Sequence, residues 1–259
     1  MSDPEAELLD VAHEAAGAAA AELLARFGHD QRGVRAKSGP TDLVSEADLA
    51  AEAAIRRVLS ERRRGDAVLG EEGGASGNGD LRWVIDPLDG TINFLFGVPQ
   101  FAVSVACEDG SGAVVGVVLD PVRNETFAAT RSGEATLNGT LITASAQDDL
   151  ATSLVATGFA YDAAVRAAQA VVVSRVLPRV RDIRRAGAAA LDLAWCACNR
   201  YDAYYERGVQ PWDVAAGGLI AQRAGLAVRE LEASEAEPRG VLAAPPGLLD
   251  ELLALIASD

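Results

Sequence analysis

The segment that most restricts the fold runs from Phe101 to Gly133. FAVSVAC, AVVGVVL and ETFAAT are short runs rich in valine and alanine, punctuated by Gly and Asp. Such runs read as strands. Because hairpins reverse the chain in a few residues, runs this close together are expected to pair as an antiparallel meander. DPVRNE supplies a turn within it and LNGT one just beyond it.

The flanks have a different texture. Residues 4–27 carry Leu8, Val11, Ala12, Ala15, Ala19, Leu23 and Phe27 at the helical period, in an alanine-rich segment of high helix propensity. The polar stretch from His29 to Asp42 breaks that helix. Ser45, with Asp48 three residues on, predicts the capped start of a second helix. Ala67–Gly70 and Leu81–Ile85 read as strands. From about residue 150 strand and helix alternate, through SLVATGF, a helix over 162–177, VRDIRR, a helix over 187–199, YDAYYER, and a helix opening at Pro211. LAVREL and GVLAAP complete the strands, and a leucine-striped helix closes the chain. These changes predict an α+β subdomain over residues 1–145 and a C-terminal α/β subdomain over 146–259.

A chain of 259 residues buries a substantial core. Its net charge of −15 argues against general adhesion to nucleic acid or an anionic membrane. A small anionic substrate stays open, since bound divalent cations invert a local field. Cys107, Cys196 and Cys198 form no zinc pattern with His13 and His29, and an odd number in apolar segments suggests a reduced, cytoplasmic protein. The acidic start is unlike a signal peptide, and charges interrupt every candidate membrane span.

The chemistry concentrates in WVIDPLDGTINF, residues 83–94, where an apolar strand ends in Asp86 and Asp89 around Pro87, followed by Gly90 and Thr91. Pro87 fixes one torsion and Gly90 permits close backbone approach, so the turn is able to direct both carboxylates inward. By itself DPLDGT also reads as an Asx-rich surface turn. It lacks the alternating ligands and late glutamate of a calcium loop. Its D-x-x-D-G-T spacing departs from the D-x-D-x-T of aspartyl phosphotransferases. Glu71, in GEEGG, and Asp213, in PWDVAAGG, read separately as a solvated turn and a favourable charge at a helix start. Converging carboxylates repel unless cations intervene. Their hard oxygen donors favour magnesium, with manganese as a substitute.

AKSGPTDLVSEAD, GEEGG, WVIDPLDGTINFLFGVPQFAVSVA, TGFAYD, RRAGAAALDL and YDAYYERGVQPWDVAAGGLIAQRAG together resemble the inositol monophosphatase family along nearly the whole chain. The resemblance implies an α+β fold of the layered αβαβα sugar-phosphatase type, two closely packed subdomains, a homodimer, two or three Mg2+ ions and lithium sensitivity. It assigns Glu71, Asp86 and the Leu88 carbonyl to one metal, and Asp86, Asp89 and Asp213 to a second, with Glu71 and waters supporting a third. Gly90 and Thr91 would present amides to phosphate, with Asp48 hydrogen-bonded to Thr91. Glu206 and the Ala189 backbone would contact the hydroxyls of a small phosphorylated polyol, and Lys37 would lie near the active-site loop.

The implied reaction is magnesium-dependent hydrolysis of inositol monophosphate by direct attack of activated water, with Glu71, Thr91 and Asp48 handling the water. Ala188 and Ile92 depart from patterns common in relatives and bear on substrate range. Histidinol phosphate and fructose bisphosphate remain alternative substrates. A phosphoadenosine nucleotide is less favoured, because no aromatic base platform is evident. A noncatalytic, metal-stabilised binding protein is the alternative of a different class.

Overall fold

The structure, a computed structural model, describes residues 3–29, 33–39, 42–234 and 237–257, and within these it leaves the side chains of residues 37–39 and 42 undescribed. The chain begins with helix α1 (Pro4–Leu24), the short antiparallel pair β1 (Arg35–Gly39) and β2 (Asp42–Val44), and helix α2 (Glu46–Arg62). The pair was not expected, because its sequence is polar and interrupted by Ser38, Gly39 and Pro40. Strands β3 (Ala67–Gly70), β4 (Gly74–Ser76) and β5 (Arg82–Asp89), helix α3 (Thr91–Leu95), and strands β6 (Ala102–Asp109), β7 (Gly112–Asp120), β8 (Glu125–Thr130), β9 (Thr136–Leu137) and β10 (Thr140–Leu141) follow. They form one sheet in the order β10-β9-β8-β7-β6-β5-β3-β4, antiparallel except for β3 beside β5. The expected meander is its centre.

The second half contains β11 (Leu154–Thr157), α4 (Ala163–Val176), β12 (Asp182–Arg184), α5 (Ala189–Ala197), β13 (Ala203–Arg207), α6 (Pro211–Arg223), β14 (Ala227–Leu231), β15 (Gly240–Ala244) and α7 (Pro246–Ile256). Its five strands are ordered β12-β11-β13-β15-β14.

Side-chain alternation explains the layering. On β6, Val103, Val105 and Cys107 face the core made with α1 and α2, whereas Ala102 and Ala106 face α5 and α6. The same two helices turn Leu193, Cys196 and Ala221 toward the second sheet. That sheet's far face is covered by Val172, Leu248 and Leu252 from α4 and α7. Helix, sheet, helix, sheet and helix therefore stack in five layers, as expected. The middle contact is close because it is built from small residues. A Cβ on Gly116 of β7 would come within 2.9 Å of Ala216, so α6 lies on that strand with no side chain between them.

Candidate active site

The DPLD sequence is not a free turn. Strand β5 continues to Asp89, and its pairing with β6 shifts register between Asp86 and Asp89. Such a bulge is where a strand tolerates proline and re-aims side chains. Asp86 closes the bend by accepting the Leu88 N–H at 2.9 Å. Gly90 follows with φ +95, and a Cβ there would meet the Gln100 carbonyl at 2.9 Å. Glycine is thus required for both conformation and space.

Glu71, Asp86, Leu88, Asp89, Gly90 and Thr91 line one cavity of about 530 Å³. Ala189, Glu206 and Asp213 reach it from the second half of the chain. The side chain expected from Lys37 falls outside the described residues.

Asp89 lies at the N-terminus of α5, accepting the Ala189 and Ala190 N–H groups at 3.1 and 2.8 Å. The Ala189 N–H is thus directed at Asp89. Asp213 accepts the Gln210 N–H at 2.7 Å, so it serves as a capping residue while facing the cavity. The two readings of Asp213 from sequence are therefore compatible.

The Thr91 hydroxyl lies 2.9 Å from Asp48 Oδ1 and 3.1 Å from the Leu88 carbonyl. The other Asp48 oxygen accepts both the Ser45 N–H and its hydroxyl, closing the predicted cap of α2. Glu206 accepts the Tyr204 hydroxyl at 2.7 Å. A Cβ at Gly158 would fall on the Glu206 carboxylate, so glycine there makes room for it.

Burial, followed by the charges of Glu71, Asp89 and Asp213, holds the Asp86 carboxyl well above the usual carboxylate range. Burial pushes Asp89 up to about 7 against the two α5 amides, and burial with the Asp89 charge raises Asp213 strongly. Glu206 is raised by burial, although the Tyr204 hydroxyl and Arg185 oppose it. Anionic forms of these groups need a counter-charge. Among the described residues, no group of three or more His, Cys, Asp or Glu has the arrangement of a formed metal centre. Hard carboxylate oxygens facing one cavity nevertheless suit a hard divalent cation.

Several features escaped sequence reasoning. Glu52 is buried and grips the loop bearing Glu71, accepting the Glu72 and Gly73 N–H groups, each at 2.8 Å. Arg185 lines the cavity beside Phe159, with 5.9 Å between its guanidinium carbon and the ring centre. Phe159, Tyr161 and Trp212 also line the cavity, so an aromatic wall not evident in the sequence is present. Trp212 lines this cavity next to Asp213. Trp195 is half-buried against Tyr201, under Arg123 and Arg200. The three cysteines are unpaired, with Cys107 and Cys196 buried and Cys198 partly exposed.

Five alternating layers surround an acid-lined cavity, and the chain's relatives place this layered α/β architecture among metal-dependent hydrolases. Residues 5–259 match the inositol monophosphatase family, and the chain belongs to that family. It is 43% identical to an inositol-1-monophosphatase from Mycobacterium leprae, covering 98% of this chain and 94% of that one. It is 46% identical to a Nus factor SuhB from Pseudomonas aeruginosa, covering 74% of each. The crystal structure of extragenic suppressor protein suhB from Bartonella henselae superposes with a TM-score of 0.89 at 33% identity, covering 97% of this chain and 98% of that one. Among the described residues no helix is long and apolar enough to cross a membrane.

Proposed function

We propose that the chain hydrolyses inositol monophosphate to inositol and phosphate, using two or three magnesium ions, with manganese able to replace them. The observation that carries this reading is the convergence of Glu71, Asp86, Asp89 and Asp213 on the cavity that also holds the Thr91 side of the Thr91–Asp48 contact. Glu71, Asp86, the Leu88 carbonyl, Asp89 and Asp213 would hold the ions. Bound magnesium supplies charge neutralisation at phosphorus and lowers the pKa of water.

The remaining work falls to the chain. Thr91 donates its hydroxyl proton to Asp48, leaving its oxygen free to take a proton from the attacking water, while Glu71 orients that water. Attack on phosphorus is direct: the ester bond to the polyol oxygen breaks as the bond to water forms, a second water gives its proton to the departing alkoxide, and no aspartyl phosphate forms. Gly90 and Thr91 amides hold phosphate oxygens at the start of α3. Glu206, fixed by Tyr204, accepts hydroxyls of the leaving polyol, and the Ala189 backbone borders the same region.

A homodimer, lithium competition at a metal site, cytoplasmic residence and the subdomain division at 145/146 belong to the same proposal. The unpaired cysteines are in keeping with a reducing compartment. The deciding assay compares inositol 1-phosphate, histidinol phosphate, fructose bisphosphate and phosphoadenosine phosphate with magnesium, in labelled water. Preferential release of label-bearing phosphate from inositol 1-phosphate is expected. A trapped aspartyl phosphate overturns direct attack. Absence of turnover across the panel, together with tight binding of a protein partner, favours the noncatalytic reading.

A further inference from the structure

Three residues on α2 point the same way at intervals of one turn, and each holds a different part of the site. Asp48 meets Thr91. Glu52, four residues on, accepts the amides of Glu72 and Gly73 with separate oxygens. Arg56, another four residues on, donates Nε to Glu52 at 2.6 Å, Nη2 to the Gly74 carbonyl at 2.8 Å and Nη1 to the Ser76 hydroxyl at 3.1 Å. The spacing i, i+4, i+8 places all three on one helical face.

The loop is shaped to receive this latch. A Cβ on Gly70 would lie 2.8 Å from both Glu52 and Arg56, and one on Gly73 would lie 2.5 Å from Glu52. Neither position accepts a side chain without displacing the carboxylate–guanidinium pair. The glycines flanking Glu71 and Glu72 in the GEEGG motif therefore have a tertiary role. Two consecutive amides bound by a buried carboxylate fix the peptide planes just beyond Glu71, and through them the direction of its side chain.

From this geometry we infer that Glu52 is a positioning residue, braced by Arg56, which sets Glu71 for cation binding and keeps it in register with Thr91 through α2. The inference rests on the reading of Glu71 as a metal ligand. Glu71 follows β3 and Thr91 follows β5, so neighbouring strands alone do not fix both side chains. Helix α2 supplies a common reference for them. The role of Glu52 is distinct from general packing because its partners are backbone donors in the ligand-bearing loop.

The test uses the full chain as wild type, Glu52→Gln, Arg56→Gln and Glu71→Gln. Amide exchange at Glu72 and Gly73 is read without metal, magnesium affinity by calorimetry, and kcat and substrate KM at varied magnesium. Glu52→Gln is expected to speed exchange at those two amides at least about 10-fold while β5 keeps its protection. Magnesium affinity should fall about 10- to 100-fold, with substrate KM at saturating magnesium nearly unchanged. Arg56→Gln, at a partly exposed position, should shift the same quantities less and reads the effect if Glu52→Gln does not fold. Wild-type magnesium affinity in Glu52→Gln or its substitute, beside a weakened Glu71→Gln, overturns the positioning role alone. Wild-type affinity in Glu71→Gln overturns the ligand reading and this inference with it. Faster exchange throughout the molecule, with activity lost in proportion to melting temperature, reduces Glu52 to a fold-stabilising residue and also overturns the inference.

Discussion

Thr91 Oγ1 and Asp48 Oδ1 stand 2.9 Å apart although 43 residues separate them in sequence. The pair joins the end of β5 to the first turn of α2. Thr91→Val, which keeps the shape and removes the hydroxyl, is predicted to lower kcat about 100-fold or more. Thr91→Ser should retain most of the rate. Steady-state rates at saturating magnesium check this, and equal activity in both variants refutes the proton path.

Asp213→Asn separates capping from cation binding. Its side-chain carbonyl still accepts the Gln210 amide, so stability should change by less than about 1 kcal/mol. The magnesium concentration for half-maximal rate should rise at least about 10-fold. Chemical denaturation and a magnesium titration measure the two quantities separately.

Glu206→Gln should weaken selectivity more than it damages phosphoryl chemistry. The buried acceptor is held by Tyr204, and loss of its charge is predicted to cut the preference for inositol 1-phosphate over a simple phosphomonoester about 10-fold. Unchanged relative kcat/KM values count against the polyol role.

The metal-free protein should lose stability as pH rises through the weakly acidic range. Asp89 has an ordinary value of 3.8 and is raised to about 7 in the fold, with Asp86 and Asp213 shifted in the same direction. Between those Asp89 values the folded chain holds a proton that the unfolded chain has released, so its contribution is greatest below 3.8 and is lost as pH passes 7. Magnesium should oppose the loss, and its binding should release protons. Melting temperatures at about pH 5 and about pH 8, with and without magnesium, test the sign. A magnesium-induced increment that shrinks at the higher pH refutes the linkage.

Much of the architecture was legible because burial imposes periodicity. The valine-rich runs specify strands, and Ser45 with Asp48 specifies the start of α2. The end of β5 was less legible because Pro87 signals a turn, whereas the register shift allows a strand to continue through it. Acidic cavity residues were visible as types in special local settings, and family resemblance grouped them. Glu52 left no such signal. Within α2 it has the spacing of an ordinary Glu–Arg pair, and its importance arises from amides twenty and twenty-one residues away. Phe159 and Tyr161 likewise become a wall only when β11 and its following loop are placed beside α6.

The contact of Gly116 with Ala216 has a consequence for how this cavity diversifies. With backbone resting on backbone, the height of the first turn of α6 is a fixed datum, and enlarging either residue would lift Asp213 from its seat. Phe159, Tyr161 and Arg185 line the same cavity, the last two exposed, and none of them meets Gly116. The side chains farther from that contact therefore have room to drift while the seat of Asp213 keeps its dimensions.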